Sequence, residues 1–533
     1  MNGAGPDAAS VSTPAPVNRT GPAPIDGETT RKHIRGSGLL LGGRMISLGL
    51  NLVTQIIIAR YLSKDDFGRF AYALAAVSLG SNIVSLGLDK SARRFVAIYH
   101  EGRDFARLFG TILLSIATIL ALGVVLFLAV VGFQDSLADY VVGDQASVAL
   151  LMILIALAPM EALNRLCEGM AASFAGARAI FFRRHLLGPV LRLTVIALLA
   201  AADGSVYVLA TGYLLTGVFG AVAYFGYLMH LFRKIGLWRD LRAQRAVVPA
   251  REIYGFSLPL LSTDAATAAR RFLAVFALGF FYTPAAVAMF RVVIPLARLN
   301  SVVFETFHHL YVPLAARLYA RHDHDRINHL YWLSALWITV LSFPVFLVTM
   351  VLAEPFTVLL VGEQYRESAS VLAWLSLGLF FNAILGFNTL TLKIFGDVRN
   401  IVRNDMLATA AAVGLYFVVI PLYGALGAAV ANCACLIFHN LLNQVSLLRI
   451  SGVTFFPPRY FTLYAAMLVV TGLLYAVQSI WSPPIYVGLV MVAAASGLVL
   501  LYARETLEVE ATFPELGRWP VVRRLFGFSN AIS

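Results

Sequence analysis

The chain has 533 residues, of which 59% are hydrophobic and only 13% are charged. Soluble domains carry roughly 25% charged residues, so this composition excludes a water-soluble body of this size. The net charge of +12 does not indicate a nucleic-acid partner, because the basic residues lie in short segments between long apolar runs.

In chain order, the first predicted element is a disordered cytoplasmic tail, which is rich in Pro, Ala, Ser, Thr and Gly and lacks an apolar signal region. Apolar runs of about twenty residues follow, each long enough to cross a ~30 Å hydrocarbon core as one helix. We therefore predict an all-α integral membrane protein of about fourteen spans. Its predicted parts are the tail at 1–35, an N-terminal six-helix lobe at 36–232, a basic cytoplasmic linker at 233–252, a C-terminal six-helix lobe at 253–449, two additional spans at 450–503 and a cytoplasmic tail at 504–533.

The distribution of Lys and Arg predicts the orientation of these spans. With the N-terminal tail in the cytoplasm, 31 of the 41 Lys and Arg residues lie in inside segments and only four in outside loops. Cytoplasmic loops of membrane proteins carry such an excess of basic residues, so both termini are expected in the cytoplasm. The outside loops are short. They leave little room for the catalytic groups of a membrane enzyme, and no enzymatic activity is expected.

Two similar stretches indicate that the two lobes arose by duplication. Each has a Phe followed by two Arg before a span, at nearly the same spacing: Phe174, Arg178 and Arg184, and then Phe395, Arg399 and Arg403. Six spans per lobe give both lobes the same orientation, so a pseudo-two-fold axis along the membrane normal is expected. Repeats of this kind place the substrate site between the two lobes.

Polar side chains within spans mark the predicted passage. In the eighth span Arg291, Arg298 and Glu305 recur every seven residues and share one helix face. An arginine at the centre of a membrane helix costs about 2.5–3.5 kcal/mol on insertion scales, so these side chains should face water or a partner. Spans one, two and seven carry further polar residues: Arg44, Asn51 and Gln55; Ser78, Asn82, Ser85 and Asp89; Asp264, Thr267, Arg270 and Arg271.

Arginines outnumber acidic residues in these four spans, which predicts a positively charged cavity for an anionic substrate. Guanidinium groups bind phosphate oxygens through two parallel hydrogen bonds, and a pyrophosphate fits this chemistry. The candidate substrate-binding residues are Arg44, Asn51, Arg270, Arg271, Arg291 and Arg298. The alternative is that Asp264–Arg271 and Arg298–Glu305 are buried ion pairs that hold helices together.

Acidic residues within spans are the candidates for ion coupling, namely Asp89, Asp264, Glu305 and Glu161. Glu161 could instead serve packing beside Pro159, and Arg192 either faces the cavity or reaches the membrane interface. No phosphate-binding loop is present, so an H+ or Na+ gradient, the membrane potential or substrate flux is the expected energy source. No cofactor or metal site is expected, because the three Cys and the His-containing loop at 313–329 lack standard ligand spacing.

Several motifs resemble those of a known family. They are ARYLSKDDFGRFAYALA (59–75), LGLD (86–89), RRFVA (93–97), FSLPLL (256–261) and GALGAA (424–429). Together they resemble the polysaccharide flippases of the multidrug/oligosaccharidyl-lipid/polysaccharide exporter superfamily. The lipid-II flippases of this superfamily use cavity arginines on the first and eighth spans, and Arg44 and Arg291 match these by position.

The resemblance implies a V-shaped helical bundle in the bacterial cytoplasmic (inner) membrane. It implies that the substrate is an undecaprenyl-pyrophosphate-linked oligosaccharide repeat unit, moved from the inner to the outer leaflet. Membrane lipids, a polysaccharide polymerase and the export machinery are the further partners it suggests.

Three other functions stay open. A cation-coupled multidrug exporter of the same superfamily would have a cavity dominated by acidic and aromatic groups. A membrane enzyme of glycan assembly would need larger outer loops. A non-transporting scaffold for the export machinery would tolerate neutralisation of the cavity charges.

Overall fold

The computed structural model describes residues 27–138, 145–174, 188–201, 204–234, 236–237 and 245–509. Every regular element within these ranges is helical, which confirms the predicted all-α class. Eight helices precede the linker: α1 Gly27–Tyr61, α2 Lys64–Ser85, α3 Leu88–Glu101, α4 Phe105–Gly132, α5 Gln145–Leu154, α6 Leu157–Phe174, α7 Gly188–Ala201 and α8 Val206–Lys234. Ten follow it: α9 Ala250–Phe281, α10 Pro284–Ala297, α11 Val302–Ala320, α12 His324–Met350, α13 Ala353–Val361, α14 Ser368–Ile384, α15 Asn388–Ile394, α16 Val398–Ser451, α17 Phe461–Trp481 and α18 Ile485–Ala503.

The described helices include many that can cross a membrane. Nine helical segments in these ranges are long and apolar enough, or ten if the bent pair α14 and α15 forms one span. Met45–Tyr61 and Gly188–Leu198 are shorter apolar stretches. The protein is therefore a multi-pass membrane protein, and the count of fourteen spans stays a prediction.

The backbone hydrogen bonds of α16 run without a break, but its backbone angles divide it into two helices at Gly424. At 1.5 Å per residue its 54 residues would extend roughly 81 Å, more than twice the thickness of a hydrocarbon core. Gly424 interrupts it with φ 55° and ψ −130°, a backbone conformation that residues with a Cβ rarely adopt. The break falls at the first glycine of the GALGAA motif, where sequence analysis places the start of the twelfth span.

Helix α1 begins at Gly27, inside the segment predicted as a disordered tail. Extending an existing helix by one residue costs much less than starting a new one, so a membrane helix readily continues into the polar residues before it. The remaining part of the tail, 1–26, lies outside the described residues. So do Arg178 and Arg184 of the predicted repeat.

Polar side chains in the turns between helices cap the N-terminal ends of four helices. The Ser63 hydroxyl accepts a hydrogen bond from the backbone N–H of Asp66 at 3.1 Å and so begins α2. Aspartate carboxylates do the same for α4, α12 and α16, at Asp104, Asp323 and Asp397. Loss of such a cap costs about 1 kcal/mol, so the turns at the ends of the spans are well defined.

Three apolar clusters show where the two parts of the chain meet. The largest joins residues from both, including 58–77 of α1 and α2 and 268–297 of α9 and α10. The other two are separate. One is built almost wholly from helices before the linker and the other only from helices after residue 310. The bundle therefore shares one core at the end that carries Tyr61 and Leu360, here named the closed end, and each part of the chain has a further core of its own.

Candidate functional site

A cavity of about 180 Å³ lies between the two parts of the chain. The apolar side chains that line it are Phe67, Phe70 and Leu74 of α2 and Ile294 and Pro295 of α10. The polar groups that line it are Gln55 of α1, Arg291 of α10 and Arg298, which begins a single 3-10 turn between α10 and α11. Two guanidinium groups predicted from the eighth span thus share one cavity wall.

The charges around this cavity sum to a positive field. Arg291 interacts electrostatically with Arg298 and Arg271, and Arg298 interacts with Arg271 and Glu305. Three guanidinium groups and one carboxylate therefore act on one another here. Like charges that lie close together repel one another, and a bound anion relieves this repulsion.

The first span contributes Gln55 to the cavity, whereas Asn51 is not among the residues that line it, and its predicted contact with the substrate stays a prediction. The Asn51 amide donates to the Ser47 carbonyl oxygen at 2.7 Å, one turn back on the same helix, and its side chain is exposed. The side chains of Arg44, Asp264 and Thr267 lie outside the described residues. Their predicted places in the cavity stay predictions.

Arg270 was expected to contribute positive charge to the cavity, and the structure gives it another partner. Its Nη2 lies 3.1 Å from the Asp405 carboxylate, and its Nη1 donates to the Asp405 carbonyl oxygen at 2.7 Å and to the Thr409 hydroxyl at 2.6 Å. This ion pair joins α9 to α16. Arg270 is therefore neutralised by Asp405 in this state, whereas its neighbour Arg271 acts on the cavity arginines.

The acidic candidates for ion coupling are spread through the bundle. Asp89 accepts a hydrogen bond from the Ser85 hydroxyl at 3.0 Å, across the left-handed turn that separates α2 from α3. Glu161 is half-buried on α6 in the field of Arg192 and Arg165, and Glu305 acts on Arg298. No cluster of three His, Cys, Asp or Glu side chains that could hold a metal ion occurs among the described residues.

Two reciprocal side-chain contacts fasten the closed end. Arg60, at the end of α1, donates through Nε to the Leu360 carbonyl oxygen at 2.8 Å and through Nη2 to that of Leu359, near the end of α13. Gln364 donates in the other direction, to the Ala59 carbonyl oxygen at 2.8 Å. Carbonyl groups at helix ends have no partner within the helix, so each part of the chain caps a helix of the other.

Next to these contacts, α2 and α10 approach each other backbone to backbone. A Cβ atom built on Gly68 would lie 1.9 Å from the Pro284 carbonyl oxygen, so only glycine permits this contact. The Phe67 ring meets the Tyr365 ring edge to face, with 6.1 Å between centroids. These contacts therefore hold the two parts of the chain together at the closed end.

Sequence reasoning did not identify these contacts. Arg60 and Gly68 both belong to the ARYLSKDDFGRFAYALA motif, which was the signal that the sequence offered. The residues that they contact lie more than 200 positions later in the chain. Gln364 and Tyr365 lie in a predicted loop whose sequence shows no pattern that would distinguish them.

A helical bundle closed at one end, with a cationic cavity between its two parts, has the architecture of a membrane transporter. Solved structures show the same fold. The lipid II flippase MurJ in an inward closed conformation matches with a TM-score of 0.67 at 13% identity, over 89% of this chain and 100% of that chain. An inward-facing multidrug resistance MATE family transporter of the MOP superfamily matches with a TM-score of 0.61 at 17% identity, over 76% and 95%. A MOP superfamily transporter from Pyrococcus furiosus matches with a TM-score of 0.51 at 17% identity, over 79% and 96%.

The sequence itself shows the family. The family model of polysaccharide biosynthesis proteins matches residues 57–370, more than half of the chain, and the chain therefore belongs to this family. No curated protein matches it. The family match and the solved structures together confirm the resemblance drawn from the sequence motifs.

Proposed function

We propose that this protein flips an undecaprenyl-pyrophosphate-linked oligosaccharide repeat unit from the inner to the outer leaflet of the bacterial cytoplasmic membrane. The observation that carries the proposal is the pair Arg291 and Arg298 on one cavity between the two parts of the chain. Membership of a polysaccharide biosynthesis family and the fold of a lipid II flippase support this substrate class.

The chemistry of the cavity suits a pyrophosphate. Each guanidinium can form two parallel hydrogen bonds to phosphate oxygens, and these bonds are stronger than those between neutral groups because the donor and the acceptor are both charged. The cavity of about 180 Å³ is smaller than the roughly 300–1,000 Å³ of drug-sized sites. It therefore fits the pyrophosphate, while the sugars extend away from the closed end and the polyprenyl chain stays in the bilayer.

Transport then requires that access alternates between the two ends. In this proposal two six-helix lobes, related by a pseudo-two-fold axis along the membrane normal, rock about the cavity. The contacts of Arg60, Gln364 and Gly68 break when the closed end opens. The excess of Lys and Arg in the inside segments predicts that this end lies on the outer face and that both termini lie in the cytoplasm.

The protein acts in this scheme as a transporter and not as an enzyme. The membrane potential or an H+ or Na+ gradient supplies the energy, with Asp89, Asp264, Glu305 and Glu161 as candidate coupling groups. Arg44, Asn51 and Arg271 are proposed to contact the substrate as it moves. A polysaccharide polymerase would receive the flipped unit.

Neutralisation of the two cavity arginines tests the proposal in cells. In a strain whose own copy is deleted, Arg291→Ala should abolish polymer export while the protein still inserts into the membrane at wild-type amounts. Arg291→Lys should restore part of the export, because lysine keeps the charge but loses the second parallel hydrogen bond. Arg326→Ala is the matched control, since Arg326 is exposed and pairs with Asp323 at the end of the bundle remote from the cavity.

Normal export by a well-expressed double variant with Arg291→Ala and Arg298→Ala would contradict the proposed cationic cavity. The alternative function, that of a cation-coupled multidrug exporter, predicts a different phenotype. Deletion of the gene would then make cells sensitive to cationic drugs and leave the polysaccharide intact.

A further inference from the structure

Two basic side chains share one carboxylate oxygen in the second half of the chain. Oδ1 of Asp405 lies 3.1 Å from Nη2 of Arg270 and 2.9 Å from Nε2 of His439. Arg270 belongs to α9, Asp405 to the part of α16 before Gly424, and His439 to the part after it. The three side chains therefore link three helical segments at one atom.

His439 also has a second partner at the same nitrogen. The Asn443 amide nitrogen lies 3.2 Å from His439 Nε2. Asn404 fixes the orientation of this amide, because its own amide donates to Asn443 Oδ1 at 3.0 Å and so turns the Asn443 NH2 group towards the histidine. Asn404 and Asn443 are fully buried, so this orientation is held by packing as well.

The proton on Nε2 decides between these two partners. When Nε2 carries no proton it accepts a hydrogen bond from Asn443, and when Nε2 carries a proton it donates to Asp405 Oδ1. Only the doubly protonated ring also brings a positive charge to the carboxylate. A charged imidazole also competes with Arg270 for the carboxylate, because one negative charge then faces two positive ones. The neutral Asp405 carbonyl and Thr409 hydroxyl oxygens are then the remaining partners of Arg270.

Few other titratable groups face this cluster. Among the described residues Tyr416 and Cys435 of α16 lie in the field of Arg270, and Arg403 of α16 reaches the Asn404 oxygen at 3.5 Å. From α15, the neutral Thr389 hydroxyl accepts from Asn443 at 3.0 Å. About a fifth of the side-chain surface of Arg270, Asp405 and His439 is exposed, so protons can reach the cluster.

We infer that Asp405 and His439 form a proton-binding site whose occupation releases the Arg270 guanidinium to bind an anionic headgroup. Arg270 is the neighbour of Arg271, which already acts on the cavity arginines. The released guanidinium adds a positive charge beside the cavity, and the anion offsets the charge that the proton brought. Because binding linkage is reciprocal, the anion also strengthens proton binding at His439.

This inference rests on the proposed function for the identity of the anion, a polyprenyl pyrophosphate, but the proton site itself does not. Its ligand is the proton, since the Arg270 guanidinium already fills the cation position at Asp405. The release of Arg270 can therefore be measured without any lipid substrate.

Chemical labelling of arginine measures this release on the purified full-length protein. Phenylglyoxal reacts with accessible guanidinium groups, and mass spectrometry gives the labelling ratio of Arg270 to the exposed Arg271. This ratio cancels the intrinsic pH dependence of the reagent. The wild-type ratio should rise several-fold between pH 8 and pH 6. His439→Gln should keep it low at both pH values, and His439→Lys, which carries a fixed charge, should keep it high.

His309→Gln is the matched control, because His309 is an exposed histidine on α11 and should keep the wild-type profile. A wild-type ratio that does not change with pH would overturn the proton site. An unchanged rise in His439→Gln would overturn it as well, and His439→Lys gives an independent result if the Gln variant does not fold.

Binding of undecaprenyl pyrophosphate separates the two proposals. The ratio of wild-type affinity to His439→Gln affinity should be several-fold higher at pH 6 than at pH 8, and comparison of the two proteins cancels the titration of the lipid itself. An equal ratio at both pH values would overturn the link between the proton and the anion. If no variant binds the lipid while the labelling ratio still responds to pH, the substrate assignment fails and the proton site stands.

Discussion

Gly68→Ala should open the closed end, because α2 and α10 touch there through backbone atoms. The new Cβ would lie 1.9 Å from the Pro284 carbonyl oxygen and 2.5 Å from its carbonyl carbon. A carbon atom and a carbonyl oxygen normally stay about 3.3 Å apart, so the two helices would have to separate by more than about 1 Å. No flexible side chain can move aside, since both contact atoms belong to the backbone.

The size of the effect follows from the cost of overpacking. Extra volume in a packed contact costs typically about 1–3 kcal/mol, and this cost applies only in the state in which the helices touch. The equilibrium between closed and open forms should therefore shift by roughly 5- to 150-fold towards the open form. Alternating access would then be biased and transport would fall, although the fold is kept.

Electron paramagnetic resonance distances can detect this shift. Spin labels on Asp65→Cys and Glu367→Cys would report the separation of the two parts of the chain, because both positions are exposed at the closed end and the native cysteines are buried. Gly68→Ala should add a population at longer distance. Gly414→Ala is the control, since a Cβ there meets nothing within 4 Å. A distance distribution identical to that of the unaltered Gly68 protein would refute the reasoning.

Three further variants test other parts of the structure. Gln364→Glu should also lengthen the distance between the spin labels, because a carboxylate cannot donate to the Ala59 carbonyl oxygen, and an unaltered distance would mean that this contact does not fasten the closed end. Asp405→Asn should lower the free energy of unfolding by about 2 kcal/mol, less than the 3–5 kcal/mol for a fully buried ion pair, because Arg270 is partly exposed. The double variant with Arg270→Gln should recover most of this loss. Failure to recover it would argue against the ion pair as the cause. Gly424→Ala should cost about 1–3 kcal/mol in a melting experiment, because φ 55° and ψ −130° strain a residue with a Cβ, and a cost close to zero would show that α16 can straighten.

The sequence predicted the fold class because its signals are local. Runs of apolar residues specify helices regardless of what packs on them, and the GALGAA motif marked the break in α16 at Gly424. The seven-residue spacing also brought Arg291 and Arg298 to one cavity, although a 3-10 turn begins at Arg298 and the helix is not ideal across it. Spacing within a single span was sufficient for this part of the site.

Contacts between distant spans could not be predicted in the same way. Arg270 resembled the other arginines within spans, and its partner Asp405 lies 135 positions later in a different helix. Its charge could not be assigned to the cavity or to an ion pair without knowing how α9 packs against α16. The partners of Arg60 and Gly68 at the closed end were hidden for the same reason, since nothing in the local pattern of α10 or α13 distinguishes them.

Translocation by purified protein in liposomes tests the central claim most directly. A fluorescent polyprenyl-pyrophosphate oligosaccharide placed in both leaflets can be quenched from outside, so the fraction that becomes accessible measures flipping. Wild-type protein should make nearly all of the fluorescence accessible to the quencher. A double variant with Arg291→Ala and Arg298→Ala should leave about half protected, as protein-free liposomes do. Flipping by the double variant at the wild-type rate would contradict the account of a cationic cavity as the site of transport.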